Sequence, residues 1–221
     1  MRSLRALALI LAVSAAAPAH GEVLPAEQVI SAVEATYRDV TAIEAQFTQT
    51  VASSTLGESV QKGRLQLQRP KRARWEFTEP QKSAMITNGQ TMWIWSPDEN
   101  QVIVTQDLSG SSSGSGSDLM VLLTDLSRID EFFTVEVGAG AEDVHVLKLT
   151  PRDEGLRAQL SGLELVMARD GMLLRRLSFA DSFGQKTSLV FSGVQLNPTL
   201  PASQFDFTPP DGATIIDSGG L

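Results

Sequence analysis

The sequence predicts a mainly β protein of the α+β kind, built on one large curved antiparallel sheet or an open barrel. Three observations carry this. Short segments with apolar residues at every second position recur along most of the chain. Asn88-Gly89 and Asp170-Gly171 stand between such segments as two-residue hairpin turns. Helical spacing is confined to one stretch near the N-terminus and one near residue 120. Many short strands at hairpin spacing fill a sheet or a barrel rather than a bundle.

The first element is not part of the fold. Residues 1–21, "MRSLRALALILAVSAAAPAHG", carry Arg2 and Arg5, then an apolar run from Ala6 to Ala17, then small residues that suit cleavage after Ala19 or Gly21. This is the pattern of a secretory signal peptide, and residues 22–221 are expected to form a single domain. From Pro25 the spacing is helical, with Val29, Ile30, Val33, Tyr37 and Val40 on one stripe. After Thr41 the period becomes two, with Ile43, Ala45, Phe47 and Val51 on one face.

Further strands are expected at Ser59–Gln68, Ala73–Thr78, Ser83–Thr87, Gln90–Trp95 and Gln101–Gln106. A second set follows at Phe132–Val137, Asp143–Thr150, Leu160–Ala168, Met172–Phe179 and Gln185–Gly193. Between the sets lies the flexible run "SGSSSGSGS", Ser109 to Ser117, which lacks the lysine of a phosphate-binding loop. Asp118 then caps a short helix holding Leu119, Met120, Leu122, Leu123 and Leu126, apolar over most of its circumference. Such a helix must be covered by something else.

Composition excludes several functions. Eighteen basic residues face 26 acidic ones, a net charge of −8 that falls to −10 without the leader, so a nucleic-acid partner is disfavoured. There is no cysteine to pair or to acylate. No other apolar run approaches a membrane span, so a soluble extracytoplasmic protein is expected. Once the leader is gone His145 is the one histidine left, mid-strand in "DVHVLKL", with no GxSxG elbow to serve. Too few ligands remain for a zinc site, and carboxylates such as Asp153 and Glu154 fall in a loop. No cofactor, metal or enzymatic activity is expected.

The stretch "LQRPKRARWEF", Leu67 to Phe77, crowds four cations into six positions. Leu65, Leu67, Ala73, Trp75 and Phe77 share the odd, apolar parity, while Arg72 and Arg74 fall on the even face, read here as a solvated exterior. If the chain turns at Pro70 and Lys71, Lys71 goes to solvent and Arg69 ends the apolar face. There it is either a strand-end arginine reaching for water or a cation at the mouth of an apolar concavity, able to hold carbonyls of a moving segment. In "TMWIW" both parities are apolar, Met92 and Ile94 on one side, Trp93 and Trp95 on the other. An apolar sheet face, an amphipathic helix and a nearly all-apolar short helix make a hydrophobic container with a lid.

Five pieces then stand in a telling order: "FTQT" at Phe47–Thr50, "LQRPKRARWEF", "NGQTMWIWSPDENQV" at Asn88–Val102, "RDGMLLRRLSF" at Arg169–Phe179 and "FDFTPPDGATIID" at Phe205–Asp217. In this order behind a signal peptide, they resemble the bacterial outer-membrane lipoprotein carrier family, LolA. The resemblance implies an unclosed antiparallel half-barrel, with an N-terminal helix and a short lid helix over its concave hydrophobic face. It implies a periplasmic monomer that shelters lipoprotein acyl chains. It further implies a donor, the inner-membrane lipoprotein-releasing ABC transporter, and an acceptor, an outer-membrane receptor lipoprotein. The family's lid-latching arginine falls on Arg69. The acyl-chain cavity is expected from Phe47, Leu65, Leu67, Trp75, Met92 and Trp93 on the strands and Leu119, Met120, Leu122 and Leu123 on the lid. Ala73 departs from the pattern, standing where many members carry an aromatic. A lipid- or lipoprotein-sensing regulatory module on the same fold and a lipid hydrolase are the alternative readings.

Overall fold

The computed structural model describes residues 24–106 and 126–218, so the expected leader and the lid residues Leu119, Met120, Leu122 and Leu123 lie outside the described residues. Within them the alternating segments form one sheet of twelve strands. These are β1 Ala42–Ser53, β2 Gly57–Gln68, β3 Arg72–Glu79, β4 Ser83–Thr87, β5 Thr91–Ser96, β6 Gln101–Gln106, β7 Phe133–Gly138, β8 Val144–Pro151, β9 Leu160–Ala168, β10 Leu174–Asp181, β11 Lys186–Leu196 and β12 Thr214–Asp217. Their order across the sheet is β12-β6-β5-β4-β3-β2-β1-β11-β10-β9-β8-β7. Two meanders, β1 to β6 and β7 to β11, are joined by the antiparallel pairing of β1 with β11. The edge strands β12 and β7 do not pair with each other, so the sheet stays unclosed.

Eleven strands stand where alternation expects them, within a few residues. The twelfth, β12, is only four residues long and runs parallel to β6, too short to leave a periodic signal. The hairpin turns are shifted or longer than expected. Asn88 pairs back to Thr91, so the two turn residues are Gly89 and Gln90, and the Asn88 side chain accepts from the Gln90 and Thr91 amides. Gly89 takes φ +96°, which a Cβ would oppose. Between β9 and β10 the whole stretch Arg169 to Met172 is a four-residue loop, closed by Ala168 donating to the Leu173 carbonyl.

Helix α1, Ala26–Tyr37, buries Val29, Val33 and Tyr37, the i, i+4, i+8 stripe of the sequence, against one face of the sheet. That inner face is one continuous apolar cluster. It runs from Ile43, Ala45 and Phe47 on β1 through Leu65, Leu67 and Trp75 to Leu147, Leu165, Leu177 and Phe191 on the C-terminal meander. Leu126 and Ile129, in the segment that enters β7, are buried in the same cluster.

The outer face is where the sequence reading needs correction. Register sets Glu44, Gln66, Arg74, Ile86, Trp93 and Val104 opposite one another in a row across β1 to β6. Ile86 and Val102 are fully buried there, because the chain after β11 returns under this side. Phe205 is fully buried and Phe207 meets Trp95 with ring centroids 6.1 Å apart. Arg74 donates to the Gln204 carbonyl at 3.0 Å and pairs with Glu76. The even-parity cations of β3 are therefore half-buried beneath the C-terminal segment and not a bare solvated exterior. Lys71 does go to solvent.

Candidate functional site

The site grows from the odd parity of the N-terminal strands. Ala45, Leu65, Trp75, Met85, Ile94 and Ile103 lie opposite one another across β1 to β6 on the inner face. The next row holds Ile43, Leu67, Ala73, Thr87 and Met92. Phe47, Leu65, Leu67 and Trp75 are thus brought together, all buried, and Met92 shares their face half-buried. Trp93 does not belong with them. Consecutive strand residues face opposite ways, so once Met92 looks inward Trp93 looks outward, into the row with Ile86 and Val104.

The floor of the site is aromatic. The Phe47 ring meets Trp75 at 5.1 Å between centroids and Phe77 at 5.3 Å edge-on, both favoured geometries. Gly63 makes room for it: a Cβ there would stand 2.6 Å from Phe47 Cζ and 1.9 Å from the Glu76 carbonyl oxygen. Trp75 is only 7% exposed, and its indole N–H meets no acceptor among the described residues.

Where α1 crosses the sheet, a cavity lies between Tyr37, Leu65, Leu67, Leu126, Leu174 and Phe191. The space open to the centre of a water molecule is about 20 Å³, enough for roughly one water and far from enough for an acyl chain. Among the described residues lining it, Tyr37 carries the one polar side chain; its hydroxyl accepts from the Leu174 amide at 3.1 Å, and burial pushes that phenol above its ordinary pKa. A larger depression, of about 320 Å³, lies among Thr50, Ala52, Ser178, Ala180 and Ser188. Phe179, Lys186 and Thr187 also line it, and among the described residues it shares no lining residue with the cavity beneath α1.

Two polar contacts border α1. Arg69 follows β2, and its guanidinium donates to the Tyr37 carbonyl at 3.2 Å and the Arg38 carbonyl at 3.3 Å. The C-cap residue Arg38 already places one cation at the end of α1, and Arg69 adds a second whose donors reach the terminal carbonyls. On the other side Glu34 faces Asp130, of the short helix Ile129–Phe132; burial first, and then the neighbouring Asp130, push the Glu34 carboxyl above its ordinary range. His145 lies on β8 opposite Met167, buried, with its imidazole pushed below its usual value by that burial and by Arg169.

Sequence reasoning missed Tyr37, Leu174 and Phe191 as cavity residues. Alternation marks Leu189 and Phe191 as one apolar face, but only the β1–β11 pairing, Phe47 opposite Phe191, brings that face to the site.

Comparison with known proteins bears on the family and the fold. A family model described as "Outer membrane lipoprotein carrier protein LolA" matches residues 38–208. An outer-membrane lipoprotein carrier protein of Dechloromonas aromatica is 33% identical over 79% of this chain and 80% of its own length. One from Hahella chejuensis is 32% identical over 85% and 87%. A crystal structure of an uncharacterized conserved protein from Thermus thermophilus shares the fold at a TM-score of 0.53 and 15% identity, covering 87% of this chain and 98% of the other.

Proposed function

Since the chain belongs to the outer membrane lipoprotein carrier protein family, LolA, we propose that it is a periplasmic carrier that shelters the acyl chains of lipoproteins against its inner sheet face. The leader at 1–21 directs it across the inner membrane. The donor is an inner-membrane lipoprotein-releasing ABC transporter and the acceptor an outer-membrane receptor lipoprotein; the carrier works as a monomer and catalyses nothing. One observation carries the reading: the inner face is a continuous apolar surface from β1 to β11 with almost no empty volume beneath α1.

The energetics follow from that closure. Each methylene left in water costs about 0.8 kcal/mol, so a long acyl chain needs cover on the order of 10 kcal/mol strong to cross an aqueous space. An apolar pocket at best equals a bilayer, which leaves extraction to a donor that supplies energy. To admit the chain, α1 and the segment around Leu126 must lift from the sheet, exposing Leu65, Leu67 and Phe191. Arg69 is proposed as the latch that opposes this. Its bonds to the end of α1 hold the empty state shut, and a loaded state gives them up.

The test is binding of an environment-sensitive apolar fluorophore to the mature protein, followed by displacement with a diacylated or triacylated peptide. Saturable binding and displacement are expected. A folded protein that excludes the fluorophore and ignores the acylated peptide would sink the carrier reading.

A further inference from the structure

We propose that the Trp75 indole N–H is a polar anchor for cargo, donating a hydrogen bond to the carbonyl oxygen at the head of an acyl chain; this rests on the carrier reading above. Trp75 is 93% buried, counting from its 7% exposure, and its Nε1 has no hydrogen-bond partner among the described residues. It lies on the inner face, opposite Leu65, which lines the cavity. Indole is a donor only, and a buried donor without an acceptor lowers the stability of the protein that contains it. Packing alone does not call for one here, since a phenylalanine would fill an aromatic cluster with Phe47 and Phe77 without that cost.

The Tyr37 hydroxyl, which lines the cavity, is held as an acceptor by the Leu174 amide and keeps its own O–H as a second donor. Trp93 and Trp95 face outward. Among the described residues the inner face therefore offers incoming cargo one unspent buried indole donor. Its partner must be an acceptor that enters an apolar space attached to a hydrocarbon, and on an acyl chain the first such atom is the ester or amide carbonyl oxygen. A phosphate or a carboxylate would bring a full charge into a setting of apolar and aromatic side chains. Pairing in the loaded state removes the orphan donor of the empty one, so the bond favours carbonyl-bearing chains over bare hydrocarbon of equal length. It also sets how deep the chain's head sits, which an apolar wall alone leaves free.

The experiment compares three ligands of equal chain length: a long-chain ester, the matching amide, and an ether in which methylene replaces the carbonyl. Each is titrated into the wild-type mature protein and into Trp75→Phe. The expected result is a loss of roughly five- to tenfold in affinity for the ester, the amide or both in Trp75→Phe, with ether affinity changed far less. Which of the two carbonyl ligands loses identifies the acyl linkage read. As a second measurement, the Trp75 indole proton resonance of the wild-type protein should move downfield on loading with a carbonyl ligand and not with the ether. This decides the matter even if the variant fails to fold. Equal losses for all three ligands, or an indole shift that does not distinguish ester and amide from ether, overturn the anchor while leaving the carrier reading intact. Binding of none of them by folded wild-type protein overturns the carrier reading, and the anchor with it.

Discussion

Arg69 and Tyr37 are joined by a hydrogen bond of 3.2 Å that fastens the last turn of α1 to the end of β2. Replacing Arg69 by leucine removes this bond and the one to the Arg38 carbonyl, leaving both carbonyls at the helix end without that donor. At this half-exposed position the empty state should lose about 1.5 kcal/mol, the lower end for charge-assisted bonds. A loaded state with α1 lifted loses little. Arg69→Leu should therefore lower the melting temperature of the empty protein, bind acylated peptide more tightly and release it to an acceptor more slowly. Unchanged affinity and transfer would separate this arginine from cargo handling.

Arg74 behaves differently. Its guanidinium holds the Gln204 carbonyl and Glu76 across the outer face. Arg74→Leu leaves both acceptors half-buried and should cost about 1–3 kcal/mol in urea unfolding. Affinity for acylated peptide should stay at the wild-type value, because Arg74 and the cavity lie on opposite faces of β3.

The Glu34 carboxyl, raised by burial and by Asp130, with Arg38 opposing, gives a pH signature. A group whose folded pKa exceeds its unfolded value adds stability below the unfolded pKa and loses it as pH rises through the folded one. Seating of α1 should therefore weaken as pH climbs from the ordinary carboxylate range through the raised pKa of Glu34. Glu34→Gln should flatten this dependence and be the more stable form at neutral pH, by less than about 1 kcal/mol after solvent screening. Melting temperatures of both proteins across that window test it, and parallel curves would refute it.

Gly63 is expected to tolerate no side chain. A Cβ there meets the Glu76 backbone oxygen and the Phe47 ring. Gly63→Ala should cost about 3 kcal/mol, the upper end for overpacking, read from urea unfolding. Adding Phe47→Leu should recover only part of this, since the ring can be withdrawn and the carbonyl of β3 cannot.

What alternation can and cannot reveal is clearest at Met92 and Trp93. The period of two locates β5 and separates its faces, and parity places Leu65, Leu67 and Trp75 together, all of which the register bears out. Parity is silent on which of two apolar faces meets the helix and which meets the returning C-terminal segment. Sequence alone therefore sends Trp93 into the cavity and Arg74 out to water. Both errors have one source: the stretch that meets Arg74 through Gln204 and Trp95 through Phe207 lies more than a hundred residues further along the chain and in no regular element long enough to announce itself. Arg69 is legible as the end of the apolar parity, but its acceptors at Tyr37 and Arg38 follow from how α1 crosses the sheet.

The pairing of β1 with β11 sets the order in which this protein becomes safe to handle. Phe47 on β1 waits for Phe191 on β11, so the central seam of the sheet closes only when nearly the whole chain is present. Until then β1 shows a bare edge, and the N-terminal meander holds its apolar side toward water without the strands that complete it. Long-range closure of this kind is slow, and an unpaired edge is a template for other chains. A chain cut short before Lys186 would strand the first meander in that condition, whatever the quality of its own hairpins. Its fate should be self-association, seen as light scattering during refolding, where the full-length chain refolds clear.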